Sequence, residues 1–206
     1  MLASLLAYTV TAALLTITPG ADTLLVLRYA GGHGAKAGFA AGLGVLAGVL
    51  VWGLVVAVGV AALIVASPLA FDVLKYAGAA YLVWLGMQLL LPIRKDGAAG
   101  KVADRPSFSF SPFASGLLTN LLNPKVGLFY LAFLPQFVPG GMPQGPFIML
   151  LAGIHALLGL LWFMLLIAGI DRTAPRLRSP RLAGLLSKLT GIVFVGFGAR
   201  LLLSSR

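Results

Sequence analysis

The chain alternates long apolar runs with short polar intervals. Six runs stand out, at Leu2 to Tyr29, Phe39 to Ala66, Phe71 to Leu91, Phe113 to Val138, Phe147 to Ile170 and Leu182 to Leu203. Each is about as long as the roughly 20 residues that span a hydrocarbon core of about 30 Å. Lipid offers no partner to an open backbone group, and these runs are too long and too uniformly apolar for the alternating strands of a membrane barrel. The pattern predicts an all-α integral membrane protein with six transmembrane helices.

Composition agrees with the pattern. Of 206 residues 60% are hydrophobic and only 10% charged, against about a quarter charged in soluble domains, and the mean hydropathy is +1.02. Little is left over for a soluble unit, so residues 1–206 read as one membrane domain. The first run lacks a basic leader and a small-residue cleavage pattern before Pro19, so it is expected to stay as a helix. Cysteine is absent, which excludes disulfides and thiolate metal sites.

A net charge of +10 would point to nucleic acid in a soluble protein, but here the basic residues gather in alternate loops. Arg28 and Lys36, then Arg94, Lys95, Lys101 and Arg105, then Arg172, Arg176, Arg178 and Arg181 all fall on one side of a six-span topology. The positive-inside rule makes that side cytoplasmic and puts both termini on the other. No nucleic-acid partner is expected, since no basic face is interleaved with stacking aromatics.

The halves resemble each other. Thr18-Pro19-Gly20-Ala21-Asp22 interrupts the first run, and Asn123-Pro124-Lys125-Val126-Gly127 interrupts the fourth at a similar depth. Lys75, Gly78, Gly86 and Leu89 in the third are spaced much as Lys188, Gly191, Gly198 and Leu201 in the sixth. A repeat with an odd number of spans enters the membrane from opposite sides in its two copies, so the expected architecture is two inverted three-helix repeats, 1–92 and 113–206, joined by a cytoplasmic linker at 93–112. Helix breaks are expected at Pro19 and Pro124, because a proline removes one amide and clashes with the preceding turn; Gly20 adds freedom to unwind.

Such breaks expose backbone at membrane depth, tolerated only where protein or a wet cavity satisfies it, and they mark the candidate binding site. Asp22 lies just past the first break in an otherwise apolar span, and an isolated carboxylate there needs a partner or a function. Lys125, directly after Pro124, is its counterpart, either as a ligand group or as a salt bridge pinning the halves. Thr18, Asn120 and Asn123 supply hydroxyl and amide groups suited to a zwitterion, while Thr18 and Asn123 could equally cap the half-helices that follow. His155 would suit a proton relay if it faced water, and otherwise reads as an interhelical hydrogen-bonder. Tyr81 is a candidate for stacking in a substrate pocket; the other aromatics read as packing or interface anchors. Asp72, Asp171 and Gln136 near span ends read as ordinary interface residues. With no Glu and no Cys there is no metal-ligand spacing, and no Walker-type loop points to ATP, so no cofactor is expected and any coupling is to an ion gradient.

With Thr18-Pro19-Gly20-Ala21-Asp22 and Asn123-Pro124-Lys125, followed by Leu128-Phe129-Tyr130, the sequence resembles the lysine exporter (LysE/RhtB) family of bacterial amino-acid efflux proteins. The likeness runs from end to end and includes the glycines at 38, 42, 44 and 48 and the stretch Tyr76-Ala77-Gly78-Ala79-Ala80-Tyr81-Leu82. It implies export of an amino acid or related metabolite across a bacterial inner membrane, driven by proton antiport. The family usually has proline after the motif glycine, where this chain has Ala21. Alternating access around the two breaks would then give Asp22 the substrate ammonium or the coupling proton and Lys125 the substrate carboxylate. A cation or metal exporter and a non-transporting membrane scaffold are the competing readings, while a membrane enzyme lacks its catalytic groups. The glycine faces fit packing within one chain or a homodimer.

Overall fold

A computed structural model describes residues 1–66, 68–91, 110–170 and 180–203. Most of the predicted linker, with Arg94, Lys95, Lys101 and Arg105, lies outside these, as do Asp171, Arg172, Arg176 and Arg178. Among the described residues the chain is entirely helical: α1 (Leu2–Ile17), α2 (Ala21–His33), α3 (Ala35–Ala66), α4 (Pro68–Leu90), α5 (Pro112–Leu121), α6 (Pro124–Phe133), a 3-10 turn (Leu134–Phe137), α7 (Gln144–Ala168) and α8 (Pro180–Leu203). No strand is present among them.

Two stretches, Ala35–Gly59 within α3 and Gln144–Ala168, are long and apolar enough to cross a membrane alone. The α1/α2 pair and the α5/α6 pair, including the 3-10 turn, qualify when each is taken as one bent span, which makes up to four. In α4 and α8 the apolar stretches are shorter, Ala79–Leu90 and Gly184–Gly196.

The helices start and stop for local reasons. Ser111 caps α5, its side chain accepting from the Ala114 amide, with Pro112 in the first turn. The α2–α3 turn passes through Gly34 at φ 86°, a left-handed conformation that favours glycine. The threonines of α1 return their hydroxyls to the carbonyl four residues back, Thr9 to Leu5 and Thr11 to Ala7 among them, and so satisfy themselves inside an apolar helix.

Two apolar clusters form the interior. The larger holds Tyr8, Phe129, Phe133, Phe137 and Phe194, with ring centroids 4.8 Å apart for Phe129–Phe133 and 4.7 Å for Phe133–Phe137. The smaller joins Val26, Leu27, Ala41, Val45, Leu46, Phe163 and Leu166 of α2, α3 and α7.

Glycine permits the close approach between helices. A Cβ on Gly44 would run into the Phe113 carbonyl, and one on Gly116 into the Ala41 carbonyl, so α3 and α5 meet backbone to backbone. In the α4–α8 seam, added Cβ atoms at Gly86 and Gly191 would each lie 2.7 Å from the other's carbonyl oxygen, and one at Gly198 would lie 2.9 Å from that of Ala79. The glycine run of α3 is not one packing face: Gly38 meets Ala30, Gly42 meets Phe163, Gly44 meets Phe113 and Gly48 meets Asn120.

Candidate functional site

Both breaks follow from the residue before proline, which is sterically pushed out of the helical region. Thr18 ends α1 at φ −69°, ψ 116°, and Asn123 precedes α6 at φ −81°, ψ 107°. The chain bends by 51° at the first break and by 53° at the second. Gly20 plays a smaller part than its sequence context indicates. Its φ of −149° is extended backbone open to any residue, and a Cβ there would meet only the Thr18 carbonyl at 3.9 Å. Proline makes the break.

The two half-helix starts aim polar groups at one cavity of about 50 Å³. Its polar wall carries Thr18, Asp22, Asn120, Asn123, Lys125 and His155, and its apolar wall includes Leu15, Val45, Leu46, Val49 and Phe163. These apolar residues belong to both interior clusters, so the cavity lies where the two meet.

Asp22 sits in the first turn of α2, where the helix dipole favours negative charge. Its Oδ2 accepts a hydrogen bond of 2.8 Å from Nδ2 of Asn120 on α5, tying the first break to the second. Asn120 is fully buried, its side chain lodged against Gly48, where a Cβ would fall 2.6 Å from Oδ1. Trp52 Nε1 donates to the Asn120 carbonyl at 3.4 Å, and the Trp52 ring covers Gly127. The second carboxylate oxygen, Asp22 Oδ1, is buried with no hydrogen-bond partner among the described residues.

Asn123 caps α6: its Oδ1 accepts from the Lys125 amide at 3.1 Å, while its carbonyl takes the amides of Val126 and Gly127. Its side chain also approaches Asp22. The Lys125 side chain acts on Asp22 through space rather than in a hydrogen-bonded ion pair. The two charges share a cavity without closing on each other, and the carboxylate's direct partner is a neutral amide.

Thr18 does not cap α2. It donates to the Leu14 carbonyl at 2.6 Å and stands 2.6 Å from Thr190 Oγ1 on α8, so the first break is joined to the last helix. Gly20 takes the cap position of α2 with no side-chain bond. Tyr81 lies outside the cavity, its ring 5.4 Å from Trp84 on the same helix. His155 makes the interhelical hydrogen bond of one reading, its Nδ1 pairing with the Tyr130 hydroxyl at 3.0 Å, and it also lines the cavity. Its place was legible in principle, since His155, Gly159 and Phe163 recur every four residues and share the cavity face of α7. Among the described residues no three His, Asp or Glu side chains gather as a metal site.

Comparison with known proteins gives a family. The model of the LysE type translocator family matches residues 13–205. The chain belongs to the LysE type translocators. It is 37% identical over 198 residues to a leucine efflux protein of Enterobacter sp. (strain 638), covering 94% of this chain and 92% of that protein. A leucine efflux protein of Klebsiella pneumoniae is 34% identical over 200 residues, with 95% and 93% covered. The uncharacterized membrane protein YrhP of Bacillus subtilis is 35% identical over 204 residues, with 96% and 97% covered. No solved structure matches. Like its relatives, this translocator is a membrane protein.

Proposed function

We propose that this translocator exports a neutral aliphatic amino acid, bound as a zwitterion between the two helix breaks. The observation that carries the reading is a buried carboxylate oxygen without a protein partner, Asp22 Oδ1, in the same cavity as the Lys125 ammonium and beside an aliphatic wall. A substrate ammonium brings three donors to Asp22, and its carboxylate is matched by Lys125. Val45, Leu46 and Val49 offer the side chain an apolar surface, in keeping with the leucine efflux proteins among the relatives. Asn120 and Asn123 hold Asp22 in place. Thr18 lines the same cavity, and Pro19, Gly20 and Pro124 set the breaks that bring these groups together.

The cavity of about 50 Å³ is far below the roughly 300 Å³ at which small-molecule sites begin, so binding requires the walls to part. Six spans in two inverted three-helix repeats, 1–92 and 113–206, rocking about the site to give alternating access, provide that motion. The α4–α8 seam supports the repeat: the contact of Gly86 with Gly191 is answered, across the pair, by that of Gly198 with Ala79. Export is driven by proton antiport across a bacterial inner membrane, with the basic loops in the cytoplasm.

Efflux of preloaded radiolabelled leucine and other amino acids from proteoliposomes, with and without an imposed pH gradient, tests the reading. The parent is expected to release an aliphatic amino acid faster with the gradient, and Asp22→Asn to lose that release. Equal efflux from correctly inserted Asp22→Asn would reject the site.

A further inference from the structure

The export reading uses Asp22 and Lys125 and leaves a third ionisable side chain of the cavity without work. His155 is 6% exposed on α7. Its Nδ1 lies 3.0 Å from the Tyr130 hydroxyl, the two rings stack at 5.7 Å and 22°, and Phe129 meets the imidazole edge-on at 6.0 Å. The ring is therefore fixed in orientation through one nitrogen. The other, Nε2, has no hydrogen-bond partner among the described residues, on a residue that lines the cavity.

We propose that His155, held by Tyr130, carries the exchanged proton, and that Asp22 binds the substrate ammonium and not that proton. This rests on the exporter reading above and goes beyond it by separating the two sites. In the neutral state Nδ1 carries the ring hydrogen and donates it to the Tyr130 oxygen, which leaves Nε2 with a free lone pair. A proton arriving from outside binds Nε2 and makes an imidazolium that keeps its Nδ1 bond to Tyr130. The proton later leaves from Nε2 on the cytoplasmic side, and no bond between heavy atoms changes.

Charge makes this a coupling device. The titratable groups next to His155 are Lys125 and Tyr130 on α6, with Tyr8 of α1 beyond Tyr130, and Asp22 on α2 shares the cavity; α3 and α5 bring no titratable side chain to it among the described residues. With His155 neutral, the cavity has one carboxylate for one lysine, and a zwitterion adds no net charge. With His155 protonated and substrate bound, three cations (Lys125, His155 and the substrate ammonium) would face two carboxylates, of which the protein supplies only Asp22. The imidazolium and the substrate ammonium then compete for that one carboxylate, which is the negative linkage that antiport requires.

The test compares two assays in proteoliposomes: exchange of radiolabelled leucine for unlabelled leucine without a gradient, and efflux driven by an imposed pH gradient. His155→Gln is expected to keep exchange within about twofold of the parent and to lose at least tenfold of gradient-stimulated efflux. Tyr130→Phe, which keeps the stacked ring, is expected to shift the pH midpoint of driven efflux by about half to one unit, the size of one lost hydrogen bond. Driven efflux retained in His155→Gln, an unshifted midpoint in Tyr130→Phe, or equal loss of exchange and driven efflux in His155→Gln each overturn the proposal. A parent that moves no amino acid overturns the exporter reading as well, so the parent alone separates the two failures.

Discussion

The two helix breaks bend almost equally, by 51° and 53°, yet they are built differently. At the second, Asn123 satisfies the start of α6 completely: its side chain takes the Lys125 amide and its carbonyl takes those of Val126 and Gly127. At the first, Gly20 provides no side-chain cap, and the amides of Ala21, Asp22 and Thr23 have no protein partner among the described residues. Charge placement differs as well. The helix dipole stabilises Asp22 at the start of α2 and disfavours Lys125 at the start of α6, by about 0.3–1 kcal/mol each. The pair thus consists of a closed, self-satisfied turn bearing an ill-placed cation and an open turn bearing a well-placed anion. An ill-placed cation gains most from a visiting carboxylate, which on the proposed reading makes the closed break the anion site despite its lack of free amides.

The sharpest way to break this comparison is to remove the charges. Asp22→Asn and Lys125→Met are each expected to lower initial efflux at least tenfold, about 1.4 kcal/mol of lost transition-state or binding energy, with insertion unchanged by protease accessibility. Next in size is the lock on the closed break from outside. Gly116→Ala drives a methyl into the Ala41 carbonyl, and since backbone cannot swing aside, a loss of about 1–3 kcal/mol is expected in denaturant unfolding.

Capping distinguishes the breaks directly. Asn123→Ala should cost about 1 kcal/mol of stability. Gly20→Ala, at an extended backbone position with open space around it, should change stability by only a few tenths, and Gly20→Asn should raise it by supplying the missing cap. A Gly20→Ala variant as damaging as Asn123→Ala would show that the first break needs glycine after all. An effect comparable to that of Asn123→Ala is expected at the anchor of the first break. Thr190→Val removes the partner of Thr18, whose hydroxyl keeps the Leu14 carbonyl, for about 0.5–1.5 kcal/mol in the same unfolding assay.

What could be read from sequence and what could not divides along the same line. Proline acts on its immediate neighbour, so the positions of both breaks and the capping by Asn123 were written locally. Asp22 and Lys125 were conspicuous because apolar sequence surrounds them. The bond from Asn120 to Asp22 and the meeting of Thr18 with Thr190 were not legible. Each joins side chains far apart in sequence, and whether two helical residues meet depends on helix rotation, at about 100° per residue, and on crossing angle. The same holds for the glycines of α3. Their number was plain, but not that Gly48 is the seat of Asn120 while Gly42, earlier on the same helix, is that of Phe163. Tyr81 was misplaced for a related reason, since an aromatic ring within a span carries no mark of which side it faces.

The seam between α4 and α8 has a mechanical meaning. Where Gly86 meets Gly191 and Gly198 meets Ala79, main chain lies against main chain, and the side chains of Val195, Leu90 and Val83 seat themselves at the same glycines. Surfaces interlocked in this way resist shear until a rotamer or a whole turn gives way. The two helices therefore meet as a latch rather than a bearing, and a bulky residue at any of these glycines would spring it open.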